Sequence, residues 1–272
     1  MNEPEPPTPP SHLEASTPPV SGQPQQITIA ESPNAKPLVT YTLLVITVLI
    51  WLVQMGTKYL WPGYDLPAAL GLKLNEYIRA GEVWRLFTPM FLHDDRLPLH
   101  IITNMYFLAV VGARVERYFG HLRFLLLYVL AAFAGNTLSF FFSPNGAWGA
   151  STALFGILAA EGIFVFQNKP WMHDWKKALN SVVSVLALNV VLGFMIGADN
   201  WGHLGGLFGG AMFAWFTGPK LKGEIYAPGL AKIIDLRTRQ ELWLASMLVF
   251  LVFGALAIAG FFWGVPGVER GL

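Results

Sequence analysis

The sequence predicts an all-α fold, a polytopic bundle of helices in a membrane. Three observations predict it. Hydrophobic residues make up 54% of the 272 and charged residues only 13%, about half the charge of an ordinary soluble domain. The apolar residues come in runs near the length of about 20 that crosses a bilayer. The polar residues that do fall inside those runs gather near one membrane level, as they would around an enclosed site.

Taken in order, residues 1–37 hold ten prolines, four Glu and one Lys. Such a segment cannot bury a core, and it reads as a disordered cytoplasmic tail. It lacks the basic start and apolar stretch of a signal peptide. The first span is expected at 38–60. Residues 61–97 are mixed, with Trp61, Trp84, Phe87, Met90 and Phe91 among nine charges. Too amphipathic for a free loop and too charged to cross, this segment is expected to lie in the interface, where Trp rings are favoured. Further spans are expected at 98–115, 122–142, 148–166, 178–196, 201–217 and 242–265. The sixth is short and holds five glycines, which suits a helix enclosed by others. Residues 218–241 are expected as a cytoplasmic loop, and 242–272 as the seventh span with a short tail.

Orientation follows from Lys and Arg. With the N-terminus inside, twelve of the 18 basic residues fall on the cytoplasmic side and six outside, four of those six in the long first loop. The expected topology is N-terminus in and C-terminus out, in the plasma membrane. The net charge of +1 and the lack of a dense basic cluster argue against nucleic acid as a partner. No cysteine is present, which excludes disulfides, thiolate metal sites and a Cys nucleophile. No H-E-x-x-H motif occurs, so metal catalysis is disfavoured, and no cofactor is expected.

Polar residues at membrane depth are costly and therefore candidates for function. Ser151 lies in Gly149-Ala150-Ser151, just inside the outer end of the fourth span. Near a helix start its own N–H lacks an intrahelical acceptor and is free to face a developing oxyanion. His203 is followed at i+3 and i+7 by Gly206 and Gly210, so all three share a face. Glycines on that face let another helix approach closely enough for a short Ser side chain to reach the imidazole. His100 and Asn104, at i and i+4, share a face of the second span, and both can donate hydrogen bonds. The second, fourth and sixth spans all begin outside, which puts His100, Asn104, Ser151 and His203 at one level. A hydroxyl, a base and two donors are the parts acyl transfer needs. No carboxylate stands at that depth except Asp199 at the loop edge, so a Ser–His dyad is expected rather than a triad. Glu161, ten residues beyond Ser151 and about 15 Å deeper, reads as structural or snorkelling.

At these residues the chain resembles the rhomboid family of intramembrane serine proteases, over roughly 84–210. Trp84-Arg85 is similar to the family's Trp-Arg segment in a membrane-lying first loop. His100-x-x-x-Asn104 matches its H-x-x-x-N. Glu116-Arg117 with Gly120 resembles its E-R-x-x-G. Gly149-Ala150-Ser151 matches the G-x-S nucleophile, and His203-x-x-Gly206-x-x-x-Gly210 the base helix. Thr152 stands where most members have Gly, and Phe155 where members often pack an aromatic ring on the base. The resemblance implies a six-span core at 38–217, with 242–265 as an additional span. It implies that Ser151 attacks, His203 is the base, and His100 and Asn104 hold the oxyanion. Its implied substrates are single-span membrane proteins, cut near the outer end of the span. Two other readings stand beside it: an inactive relative that binds transmembrane clients without cutting them, and a transporter or channel of another fold. The second would call for inverted repeats or broken helices, which are not found.

Overall fold

A computed structural model describes residues 28–29, 36–94, 98–227 and 230–267. The tail expected at 1–37 lies outside the described residues except for Thr28, Ile29, Lys36 and Pro37. Thr28–Ile29 form a short strand β1.

The first long helix, α1 (Leu38–Leu60), covers the first expected span. The mixed segment that follows does not cross. It folds into two short helices, α2 (Leu66–Gly71) and α3 (Asn75–Arg79), and two 3₁₀ turns, Val83–Leu86 and Thr88–Phe91. The second span is α4 (Pro98–Phe107) and α5 (Ala113–Phe119), joined by a π turn at Leu108–Gly112. Then come α6 (His121–Phe142), α7 (Ser151–Gln167), α8 (Trp175–Ile196) and α9 (Asn200–Thr217). Residues 218–241, read from sequence as a loop, contain two antiparallel strands, β2 (Leu221–Ala227) and β3 (Leu230–Asp235). β1 joins them in parallel on the β3 side. The last helix is α10 (Arg239–Trp263), opened by a capping box between Thr238 and Glu241.

Five helical stretches among the described residues are long and apolar enough to cross a membrane: 38–60, 98–119, 121–142, 175–193 and 239–263. The other two expected spans are the shorter α7, of 17 residues, and the glycine-rich α9, of 18. α7 is buried over most of its length, and α9 buries its glycine faces against α6 and α7 while Trp201, Phe208, Trp215 and Phe216 stay exposed. The chain is a multi-pass membrane protein with a helical bundle fold.

Small residues make the centre. α9 packs between α6 and α7. Gly206 and Gly210 face α7 so closely that a Cβ on either would overlap the Thr152 carbonyl or the Gly156 backbone. A Cβ on Gly205 would lie 2.6 Å from the Ala134 carbonyl of α6. Contact at this range is how helices associate where lipid removes the hydrophobic drive. Of the five long apolar stretches, α6 is the most buried, with 72% of its apolar window inside the bundle, while α8 has only 11% and is peripheral.

Two charged residues lock the frame. Glu116 is fully buried and accepts from the Val39 and Thr40 N–H groups at 2.8 and 2.7 Å and from the Thr40 hydroxyl at 2.6 Å. It thus serves as an anionic cap on the start of α1, satisfying donors that the helix itself leaves open. Arg85, also buried, pairs with Glu82 at 2.6 Å and donates to the Leu72 and Ala69 carbonyls at 2.7 and 2.6 Å. It knits the first loop into one compact piece. That loop then clamps the connection ahead of α7: Lys73 Nζ donates to the Ser143 and Asn145 carbonyls at 3.1 and 2.8 Å, and Lys73 and Ala147 exchange backbone hydrogen bonds at 3.1 Å.

Candidate active site

Ser151 is the first residue of α7. The chain reaches it through Gly149, which has φ +118°, a conformation that side chains resist. Space also demands glycine there, since a Cβ would lie 2.9 Å from His100 Cε1 and 3.0 Å from its Nε2. The same Cβ position lies 3.6 Å from Ser151 Oγ. Gly149 therefore leaves room for the His100 ring against the backbone two residues before the serine.

His203 stands in the first turn of α9, whose start is capped by Asp199 accepting from the Gly202 N–H at 3.1 Å. Its Nε2 lies 3.0 Å from Ser151 Oγ. Phe155, one turn below Ser151, stacks on the imidazole with centroids 4.3 Å apart and planes 12° from parallel. The ring is thus held from the side and aimed at the hydroxyl. His203 Nδ1 is buried and makes no hydrogen bond among the described residues. Asp199 accepts the helix-cap hydrogen bond through Oδ1, and its buried Oδ2 makes no hydrogen bond among the described residues.

Ser151 and Asn104 line one cavity of about 220 Å³ with Thr103, Phe107, Phe155 and Asn189. It lies between α4 and α8 over α7. Of the four residues predicted from sequence, His203 hydrogen-bonds the serine, Asn104 shares its cavity, and His100 lies against Gly149, two residues before it. Glu161 stays out of it and pairs with Arg114 at 3.2 Å. Thr152 is accommodated on the far side of the helix, where its methyl packs against Gly202 and where Gly135 leaves room: a Cβ on Gly135 would lie 2.7 Å from Thr152 Cβ.

Sequence reasoning missed one residue at the site. His93, just after the second 3₁₀ turn, is fully buried. Asn104 Nδ2 donates to its Nε2 at 3.0 Å, and the Ala150 N–H points at the same nitrogen from 3.5 Å. Its ring sits 5.2 Å from that of His100. Burial, with His100 adding to it, pushes the His93 imidazole down to about 3, so the ring is neutral. Eleven residues separate His93 from Asn104, and no periodic spacing announces the contact.

The model of the rhomboid domain matches residues 80–220, just over half of the chain. The chain belongs to the rhomboid family. This rhomboid protein is 35% identical over 181 residues to Rhomboid protease GluP of Bacillus subtilis (strain 168), covering 65% of this chain and 34% of that one. It is 32% identical over 210 residues to RHOMBOID-like protein 1 of Arabidopsis thaliana, covering 74% and 52%. It is 32% identical over 179 residues to Rhomboid-like protease 1 of Toxoplasma gondii, covering 62% and 60%. The rhomboid chain thus spans between about a third and three fifths of these relatives' lengths. The matched region contains His93, His100, Asn104, Ser151 and His203.

Proposed function

We propose that the protein is an intramembrane serine endopeptidase that uses Ser151 and His203 as a dyad. The observation that carries this is the 3.0 Å approach of His203 Nε2 to Ser151 Oγ, beside a cavity lined by Ser151 and Asn104. That distance is within hydrogen-bond reach for general base catalysis. In this reading His203 takes the hydroxyl proton as Ser151 Oγ bonds to a peptide carbonyl carbon. The carbonyl oxygen becomes an oxyanion, held by His100, Asn104 and the Ser151 N–H. His203 passes its proton to the leaving amine as the C–N bond breaks, leaving an acyl-enzyme. Water then gives a proton to His203 as its oxygen bonds to the acyl carbon, and His203 returns that proton to Ser151 Oγ as the acyl–Oγ bond breaks, releasing the acid and the free serine.

The substrates proposed are single-span membrane proteins, cut near the outer end of their span. They would reach the serine from the lipid between α4 and α8, where the cavity lies, since α8 is the least embedded of the five candidate spans. A stable membrane helix hides its carbonyls in its own hydrogen bonds. Small or helix-weakening residues near the cut would therefore be favoured, because they let the backbone extend into the cavity.

A fluorophosphonate probe tests the reading on purified protein. Wild type is expected to label covalently, with labelling lost in both Ser151→Ala and His203→Ala. Labelling that persists in Ser151→Ala would contradict the assignment of the nucleophile. A folded wild-type protein that stays unlabelled would favour the client-binding reading.

A further inference from the structure

Behind the serine, a line of buried polar groups runs from the first helix to Asn104. Gln54 of α1 is fully buried. It clasps the backbone of His93 on both sides: its Oε1 accepts from the His93 N–H at 3.1 Å, and its Nε2 donates to the His93 carbonyl at 3.2 Å. The same Nε2 donates to Asp65 Oδ2 at 2.9 Å, and Asp65 caps α2 through the Ala68 N–H at 2.9 Å. The first helix and the first loop together therefore fix where the His93 ring stands.

What that ring does follows from its partners. Asn104 Nδ2 and the Ala150 N–H are both donors, and both face His93 Nε2. A nitrogen that receives donors carries a lone pair, so the ring proton sits on Nδ1. The Asn104 carboxamide has two N–H bonds. One is spent on His93, and the other remains for the cavity that Asn104 shares with Ser151. A carboxamide without an acceptor behind it is free to turn over, which would present Oδ1 to a developing oxyanion and exchange attraction for repulsion. The second contact, from Ala150 N–H, ties the same nitrogen to the Gly149–Ala150 peptide.

We infer that His93, held by Gln54, is a positioning residue that orients the Asn104 carboxamide for oxyanion stabilisation. The inference rests on the proposed serine-protease function. His93 touches neither the serine hydroxyl nor the scissile carbonyl. It acts through Asn104, so its effect belongs to the transition state and disappears when Asn104 is gone.

The test is steady-state cleavage of a single-span substrate by the full-length protein in liposomes, with kcat and KM measured separately. Two variants of similar volume are compared: His93→Gln, which offers an acceptor oxygen near the position of Nε2, and His93→Met, which offers none. His93→Met is expected to lose about 10²-fold in kcat, the lower end of the loss for one oxyanion donor, with KM within about twofold of wild type. His93→Gln is expected to recover most of that loss. In an Asn104→Ala background, His93→Met should cost less than about threefold more, because the two act as one unit. Equal rates for the Gln and Met variants, or a full additional loss in the Asn104→Ala background, would overturn the role of His93. A wild-type protein with no Ser151-dependent turnover would overturn the proposed function, and this inference with it.

Discussion

Each residue of the site is held by something that can be named, and the ways of holding differ. Ser151 is placed by the φ of Gly149 and the start of α7. His203 is placed by the Asp199 cap and the Phe155 ring. Because His100 and Asn104 stabilise charge that appears only in the transition state, their loss should slow turnover without weakening substrate binding. His100→Ala and Asn104→Ala are each expected to lose about 10²- to 10³-fold in kcat, with KM little changed and melting temperature near wild type. A large fall in melting temperature with unchanged turnover per folded molecule would make them helix glue instead. His93 supplies a pH dependence. Its folded pKa of about 3 lies below the ordinary histidine value near 6.5, so between these the unfolded chain binds the extra proton. The stability gained from a neutral buried ring is complete above about pH 6.5 and is lost as pH falls toward 3. Thermal midpoints measured across that window should fall less steeply in His93→Gln than in wild type, and parallel curves would count against a neutral buried His93. The approach of Ser151 to His203 and the cavity that Ser151 shares with Asn104 were legible in the sequence because rare polar residues stood in apolar runs. His93 and Gln54 were not. His93 sits outside any run, and a single Gln in a first span gives no sign of which backbone it will clasp.

At the scale of elements, α9 decides whether the two halves of the dyad meet. The glycine face of His203, Gly206 and Gly210 was readable from spacing, and it does lie against α7. The opposite face, Gly205 and Gly209 against Ala134 of α6, went unread, because five glycines in eighteen residues fit several faces at once. Gly206→Leu and Gly210→Leu should drive α9 from α7 and separate His203 from Ser151. Cleavage is expected to fall by at least about 10²-fold, the scale of loss from a misplacement near 1 Å. Normal rates in both variants would contradict the close-approach argument. The π turn at 108–112 and the strands at 221–235 were also invisible. An i→i+5 turn leaves no mark on hydrophobic periodicity. The strands stay short, in a stretch whose charges read as loop. They are fixed from outside by contacts that only the fold creates: Asn168 Nδ2 donates to the Pro219 carbonyl at 2.8 Å and its Oδ1 accepts from the Leu221 N–H at 2.8 Å, while Arg123 pairs with Asp235.

At the scale of the whole molecule, the order of the long apolar helices was legible because a bilayer imposes a length. The two helices that carry Ser151 and His203 are the ones that fall short of an independent span by length or by apolar content. Enclosure by α6, α8 and α10 lets them be short and rich in small residues, and the same property brings their backbones together. The topology proposed from the basic residues predicts cytoplasmic signals from reporters fused after Lys177 and after Lys222, and an external signal from the C-terminus. An external signal after Lys222 would invert the molecule and move the site to the inner face. The central claim is that this bundle brings a serine and a histidine together to cut a peptide bond within the membrane. It is tested most directly by reconstituting wild type, Ser151→Ala, His203→Ala and the double variant with single-span substrates and locating any cut by mass spectrometry. The account predicts one cut near the outer end of the substrate span in wild type, none in either single variant, and a double variant no worse than each single one; cleavage by Ser151→Ala at the wild-type position would contradict it.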